Sequence, residues 1–195
     1  QAATPTASRT VTIALAGNPN SGKTTIFNNL TGARQHVGNY PGVTVEKVEG
    51  EASVSGRRVH VVDLPGTYSL TAYSIEEIVA RNFILDQQPD VVIDVVDCSN
   101  LQRHLYLATQ LLDLGVPLVL AFNMSDLARS RGLQIDVRKL SQLLGVPIVR
   151  TVGSHGRGLE KLLAEAARVA DEGPDAVSHE RRVRYGGEVE PHVEQ

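Results

Sequence analysis

One cysteine, no membrane-length apolar run and no large excess of either charge narrow this 195-residue chain before any motif is read. Cys98 has no partner in the chain, which excludes an internal disulfide and suits a reducing compartment. At the end of an apolar strand it reads as a small buried thiol. The apolar stretch Val91-Val92-Ile93-Asp94-Val95-Val96 is broken by Asp94 and stops at Asp97. A membrane span needs roughly 18 such residues. Gln1 to Ser8 is small and polar, without the apolar centre of a signal peptide, and no initiator Met precedes it. Residues 1–9 are therefore expected to be a disordered or cloning-derived N-terminus, and the fragment to be soluble. The net charge of −3 gives no sign of a general affinity for nucleic acid or acidic lipid. His36, His60, His104, His155, His179 and His192 have no metal-ligand spacing with Cys98 or with one another. No internal repeat is present.

What is present is ordinary for a soluble domain with a real core: 42% hydrophobic and 21% charged residues. Strand and helix signals alternate from residue 10 to about 170, the mark of an α/β fold with a mostly parallel sheet. The first strand, Val11 to Ala16, runs into Gly17-Asn18-Pro19-Asn20-Ser21-Gly22-Lys23-Thr24, and Thr25 to Leu30 continues at helical spacing. Strand, glycine-bounded loop and helix start are the context of a phosphate-binding loop. Its backbone N–H groups and the helix N-terminus face a polyphosphate. Lys23 then reaches the β- and γ-phosphates, and the Thr24 hydroxyl takes a magnesium site. Thirteen residues without periodicity follow, Thr31 to Val43, expected to be a functional loop. A hairpin is expected over Thr44–Val54 and Arg57–Leu64, turning at Ser55-Gly56. Helices are expected at Ser74–Leu85, with Ser74 and Glu77 as a capping box, at Asn100–Leu114 closed by Gly115, at Val137–Leu144 and at Leu159–Ala170. Buried strands are expected at Val91–Val96, Val116–Phe122 and Ile148–Thr151.

A phosphate loop alone does not separate ATP from GTP. Asn123-Met124-Ser125-Asp126 does, because it follows a buried strand at the carboxyl edge where open α/β sheets bind ligands. A carboxylate there accepts two hydrogen bonds from guanine. Adenine would leave Asp126 with an unmade bond, at about 1–3 kcal/mol. Asn123 would tether this loop to the phosphate loop. Asp63-Leu64-Pro65-Gly66 has the spacing of a nucleotide sensor, with Asp63 on a magnesium water and the Gly66 N–H on the γ-phosphate. Thr44, after Gly42 and Val43, is the candidate second magnesium hydroxyl. Thr151-Val152-Gly153-Ser154 is the expected purine-flanking loop.

With these motifs in place, the chain resembles the translation-factor-like branch of small GTPases, and specifically the G-domain of the ferrous iron transport protein B family. The resemblance covers residues 10–170 and rests on residues 17–24, 37–46 (Val-Gly-Asn-Tyr-Pro-Gly-Val-Thr-Val-Glu), 63–70, 100–107 and 123–126. The first-switch stretch and Met124, where most GTPases carry Lys, are its specific parts. It implies a three-layer P-loop fold with a six-stranded, mostly parallel sheet, one antiparallel edge strand and helices on both faces. The GTPase domain would span 10–171, and 172–195 would be a linker and the cut-short start of a helical domain ahead of a membrane-embedded iron-transport region. It implies GTP and GDP as ligands, Mg2+ and K+ as cofactors, and slow hydrolysis whose switch motions signal to the helical and membrane regions. It places the full protein on the cytoplasmic face of the bacterial inner membrane. Small accessory iron-transport proteins and self-association in the membrane are its further partners; nucleic acid is not among them.

Thr67 stands where Ras-like enzymes carry a water-orienting Gln, so another group must offset charge between the β- and γ-phosphates. The resemblance assigns this to potassium on the Asn20 side-chain oxygen and the carbonyls of Gly38 and Tyr40, the last replacing a Trp. Asn20, Lys23, Thr44 and Gly66 are thus the expected catalytic set. Glu76 and Glu77 could bind a cation, though adjacent helix residues point apart. Arg181-Arg182-Val183-Arg184 reads as a phosphate-binding patch or a solvated helix face. Two other readings stay open: a soluble potassium-dependent GTPase of ribosome assembly or tRNA modification, and a P-loop kinase or ATPase, against which Asp126 argues.

Overall fold

Short apolar runs alternating with amphipathic stretches leave the chain few ways to bury both, and the simplest is a parallel sheet with helices over each face. The structure, a computed structural model, describes residues 9–173. The expectations for residues 1–8 and for 174–195, including Arg181–Arg184, lie outside them. The chain runs through β1 (Val11–Gly17), α1 (Lys23–Thr31), β2 (Gln35–Asn39), β3 (Glu46–Val54), β4 (Arg57–Asp63) and α2 (Ile75–Asn82). It continues through β5 (Val91–Asp97), α3 (Leu101–Asp113), β6 (Leu118–Asn123), α4 (Ser125–Ser130), α5 (Val137–Leu144), β7 (Ile148–Arg150) and α6 (Leu159–Glu172).

The sheet order is β2-β3-β4-β1-β5-β6-β7. Alternation along the strands divides the core in two. Val11, Ile13, Leu15, Val91, Ile93, Val95, Val119 and Ala121 face α1 and α6, where Ile26, Phe27, Leu162 and Ala166 meet them. Ala14, Ala16, Val92, Val96, Leu118, Leu120 and Phe122 face α2 and α3, under Val79, Ala80, Leu107 and Leu111. Each fully buried Leu, Ile or Phe of these layers contributes about 1.5–3 kcal/mol. Among the described residues no helix is long and apolar enough to cross a membrane.

Three expectations need correction. The sheet has seven strands instead of six, because Gln35–Asn39 forms β2 inside the stretch read as a loop. All five β2 residues are exposed, so no burial alternation marks them; the strand exists through its antiparallel ladder with β3. The antiparallel strand is accordingly not at the edge: β3 opposes both β2 and β4 and lies one place in. The helix expected over Ser74–Leu85 is α-helical only to Asn82 and continues as a π-helical turn, Phe83–Gln87. The β3–β4 hairpin stands as expected, with Ser55 and Gly56 both at positive φ (50° and 78°), the twist that matches paired strands. α4, six residues that begin inside the Asn123–Asp126 motif, is an element the sequence pattern does not announce.

Candidate functional site

The phosphate loop bridges the end of β1 and the start of α1. Gly22 is the N-cap of α1 at φ 87°, a left-handed conformation that strains any side chain. A Cβ there would lie 2.3 Å from Asn123 Nδ2. The loop curls on Ser21 N–H to Asn18 O at 3.1 Å. A cleft of about 550 Å³ opens above it, lined by Asn18, Pro19, Asn20, Lys23, Thr24 and Gly66, among others. Beside it the Asn18 amide nitrogen and the Ser21 hydroxyl are buried, without a partner among the described residues.

Lys23 Nζ donates to Asp63 Oδ1, and both side chains are about nine-tenths buried. Burial pushes the Asp63 carboxyl above its usual range, and the Lys23 ammonium pulls it back. The end of β4 is stitched to the loop: Leu64 N–H donates to Leu15 O at 2.9 Å, and Thr67 N–H to Gly17 O at 3.1 Å. Gly66 is thereby held against Pro19.

Asn123 is the hub of the site and is almost fully buried. Its amide donates to Ser21 O at 2.9 Å, inside the phosphate loop. Its oxygen accepts from Gly153 N–H at 2.9 Å and from Thr151 Oγ1 at 3.4 Å. One side chain thus ties β6 to the phosphate loop and to the Thr151–Ser154 loop. Met124, at φ 53°, turns the chain at once into α4, leaving Asp126 exposed in its first turn. Ser125 N–H and Oγ both donate to Thr151 O, at 3.4 and 3.0 Å. Asn29 adds a brace from α1, donating to Gly153 O at 2.7 Å.

The first-switch residues stand apart from the cleft. Gly38, Tyr40, Gly42, Val43 and Thr44 are not among its lining, and Gly42 and Thr44 are exposed. Tyr40 plants this segment in the core, edge-on to Phe83 at 6.3 Å, where burial raises its phenol above the ordinary value. Its carbonyl, an expected potassium ligand, accepts from Val43 N–H at 3.3 Å.

The segment after Gly66, residues 67–74, is held by residues whose roles sequence reasoning missed. The Glu77 carboxylate accepts from Ser69 Oγ at 2.7 Å and Tyr73 N–H at 3.0 Å, and these bonds hold it below its usual range. Ser74 Oγ does accept from Glu77 N–H at 3.1 Å, so half of the expected capping box forms. From α3, Gln110 accepts from Leu70 N–H at 2.7 Å, and Arg103 stacks over Tyr68 at 4.2 Å. Arg103 and Gln110 are seven residues apart, on one helical face, which was the available signal. Among the described residues no three His, Cys, Asp or Glu side chains form a metal-holding group.

Comparison with known proteins agrees with this geometry. The family model described as ferrous iron transport protein B matches residues 11–166. The Fe(2+) transporter FeoB of Salmonella typhimurium is 54% identical over 156 residues, which are 78% of this chain and 20% of that protein. The chain thus spans about a fifth of the length of the curated relatives it matches. The FeoB G-domain of Methanococcus jannaschii superposes with TM-score 0.75 at 45% identity, over 84% of this chain and 99% of that one. A GDP-bound point mutant of the S. thermophilus FeoB G-domain gives 0.85 at 42%, over 95% and 70%. The T. maritima FeoB cytosolic domain, in a GDP form, gives 0.87 at 41%, over 95% and 72%. With a family model over most of its length and G-domains of that family superposing on its sheet and loops, this chain belongs to the ferrous iron transport protein B family, as its G-domain.

Proposed function

We propose that this chain binds GTP with magnesium, hydrolyses it slowly with the help of potassium, and serves as the regulatory module of a ferrous iron transporter of the bacterial inner membrane. The observation that carries this is the Asn123 hub, which joins the phosphate loop and both base-side loops into one frame through the protein's own hydrogen bonds. Preorganisation of that kind lowers the ordering cost of binding. Asp126, exposed beside the frame, selects guanine through its ring N–H and amine.

The Lys23–Asp63 pair supplies the ligand-sensing step. A triphosphate would draw Lys23 from this carboxylate to phosphate oxygens and leave Asp63 free to help hold magnesium. Thr24, Thr44 and Asp63 would hold magnesium; the buried carboxylate suits a hard cation. Asn20, at φ 65° in the cleft, offers a neutral oxygen suited to potassium. Gly38 and Tyr40 would complete that site once the Tyr40–Val43 turn opens. These cations supply charge stabilisation between the β- and γ-phosphates. Gly66 N–H then reports the γ-phosphate to the segment that Gln110 and Glu77 hold. Motion there would pass to the helical and membrane-embedded regions of the full protein, and accessory iron-transport proteins or self-association would act on the same assembly.

Hydrolysis by the wild type and Asn20→Ala in potassium and in sodium, at equal ionic strength, tests the mechanism. Potassium stimulation lost in the variant is expected; equal rates in both salts would remove potassium from it. Asp126→Ala should weaken GTP at least about tenfold while leaving ATP unchanged. Equal wild-type affinity for ATP and GTP would overturn the guanine assignment.

A further inference from the structure

The net charge of −3 conceals a strong polarity. Residues 127–161 hold seven Lys and Arg against two Asp and Glu, while the rest of the chain holds twelve against twenty. The fold gathers part of this excess at the β7 edge of the sheet. Arg129, Arg150 and Leu133 line a cleft of about 440 Å³ between α4 and the segment before α5. Arg150, Arg138 and Lys161 line an adjoining one of about 620 Å³. The two share Ile135, Asp136, Val137 and Arg150, so they form one groove.

Four exposed cations therefore meet along one groove with a single carboxylate, and Asp136 is already taken as the N-cap of α5, accepting from Lys139 N–H at 3.0 Å. Among the described residues none of the four is in an ion pair. Arg138 and Lys161 also stand in the first turns of α5 and α6, where the helix macrodipole favours negative charge. Among the described residues each cation is thus without an anionic partner. Leu133 (45% exposed) lines the same groove, and elsewhere on α4 and α5 Leu127 (37%) and Leu143 (68%) present apolar side chains to solvent. No aromatic residue occurs between Phe122 and Tyr185, so this face has no platform for stacking nucleobases. Four such cations with the exposed Leu133 among them match a surface of phosphate headgroups over hydrocarbon.

We propose that the α4–α5–β7 edge rests on acidic phospholipid headgroups of the membrane, through Arg129, Arg138, Arg150 and Lys161. This rests on the reading of the chain as part of a membrane transporter, and adds a contact made by the G-domain itself. Each Lys or Arg near an anionic surface contributes about 1 kcal/mol, so reversing two should weaken binding by at least about tenfold.

The test is co-sedimentation of this chain with phosphatidylcholine vesicles, with and without about 30% phosphatidylglycerol, at low and at raised salt. Selective binding to the acidic vesicles is expected, weakened by salt and lost in Arg138→Glu/Lys161→Glu, whose circular dichroism and GDP binding match wild type. Arg150 is left intact because it also donates to Ile135 O at 2.7 Å. Equal binding to neutral vesicles, no binding at low salt, or undiminished binding by the variant would overturn the proposal. Tighter binding to a single-stranded oligonucleotide than to acidic vesicles would reassign the face to nucleic acid. GTP hydrolysis is measured on the same samples: its absence would sink the nucleotide reading, and its presence without vesicle binding would sink only this one.

Discussion

Replacing Asp94 by Asn should remove most of a pH dependence that this carboxyl builds into folding. Asp94 lies in the middle of β5, paired in register with Ala16 on β1 and Leu120 on β6, and is 1% exposed. Strand alternation sets it on the face of Val92 and Val96, under α2 and α3. Its Oδ2 has no partner among the described residues, and burial pushes its pKa from 3.8 to about 7. The folded state therefore favours the protonated acid. Its contribution is fully present below the unfolded value of 3.8 and is lost as pH rises through about 7. A shift of about 3 units at 1.36 kcal/mol each makes this about 4 kcal/mol, a large share of the ~5–15 kcal/mol of an ordinary domain. Urea unfolding of wild type and Asp94→Asn, in steps between about pH 4.5 and 8.5, reads it directly. The variant should gain on wild type steadily up to about pH 7 and level off above it, where both states are ionised. Any constant offset reports the buried amide's own unmade bonds, whereas the slope reports ionisation alone. A difference that stays within about 1 kcal/mol from end to end would refute the reasoning.

Three other outcomes follow from the geometry. Gly22→Ala should abolish GDP binding in a calorimetric titration, since its Cβ would meet Asn123 Nδ2 at 2.3 Å in a left-handed backbone. Gln110→Ala strands the Leu70 N–H, costing about 1–3 kcal/mol locally; amide exchange should quicken at Leu70 and stay unchanged in β5 and β6. Phe122→Ala opens a cavity at a fully buried position and should lower unfolding free energy by about 3–5 kcal/mol in denaturant titration.

Chemistry that depends on a few residues in order was readable without coordinates. The loop from Gly17 to Thr24 and the stretch from Asn123 to Asp126 each follow a buried strand, and the strand pattern placed both at the same sheet edge. The family resemblance carried by residues 37–46 and 123–126 holds in the comparisons, which leave the soluble ribosome-assembly reading without support. Elements whose existence depends on a distant partner were not readable. β2 has no buried face, so only β3 makes it a strand. Glu77 looked like half of a capping box, and its grip on Ser69 needs the segment 67–74 folded back onto the start of α2. The π-helical turn at Phe83 leaves no pattern that a helical period distinguishes. The basic edge was averaged away by the acidic remainder, since net charge carries no address.

The Asn123 hub has a consequence for how nucleotide leaves. A site whose base half and phosphate half were built separately could let go of one end first, with the ligand pivoting out on the other. Here the same amide bonds to Ser21 in one half and to Thr151 and Gly153 in the other. Loosening the base-side loop strips the phosphate loop of its support, and distorting the phosphate loop unseats the base-side loop. Exit thus has one latch instead of two. Whatever pulls on α4 or on the Thr151–Ser154 loop from outside would speed the departure of the whole nucleotide at once.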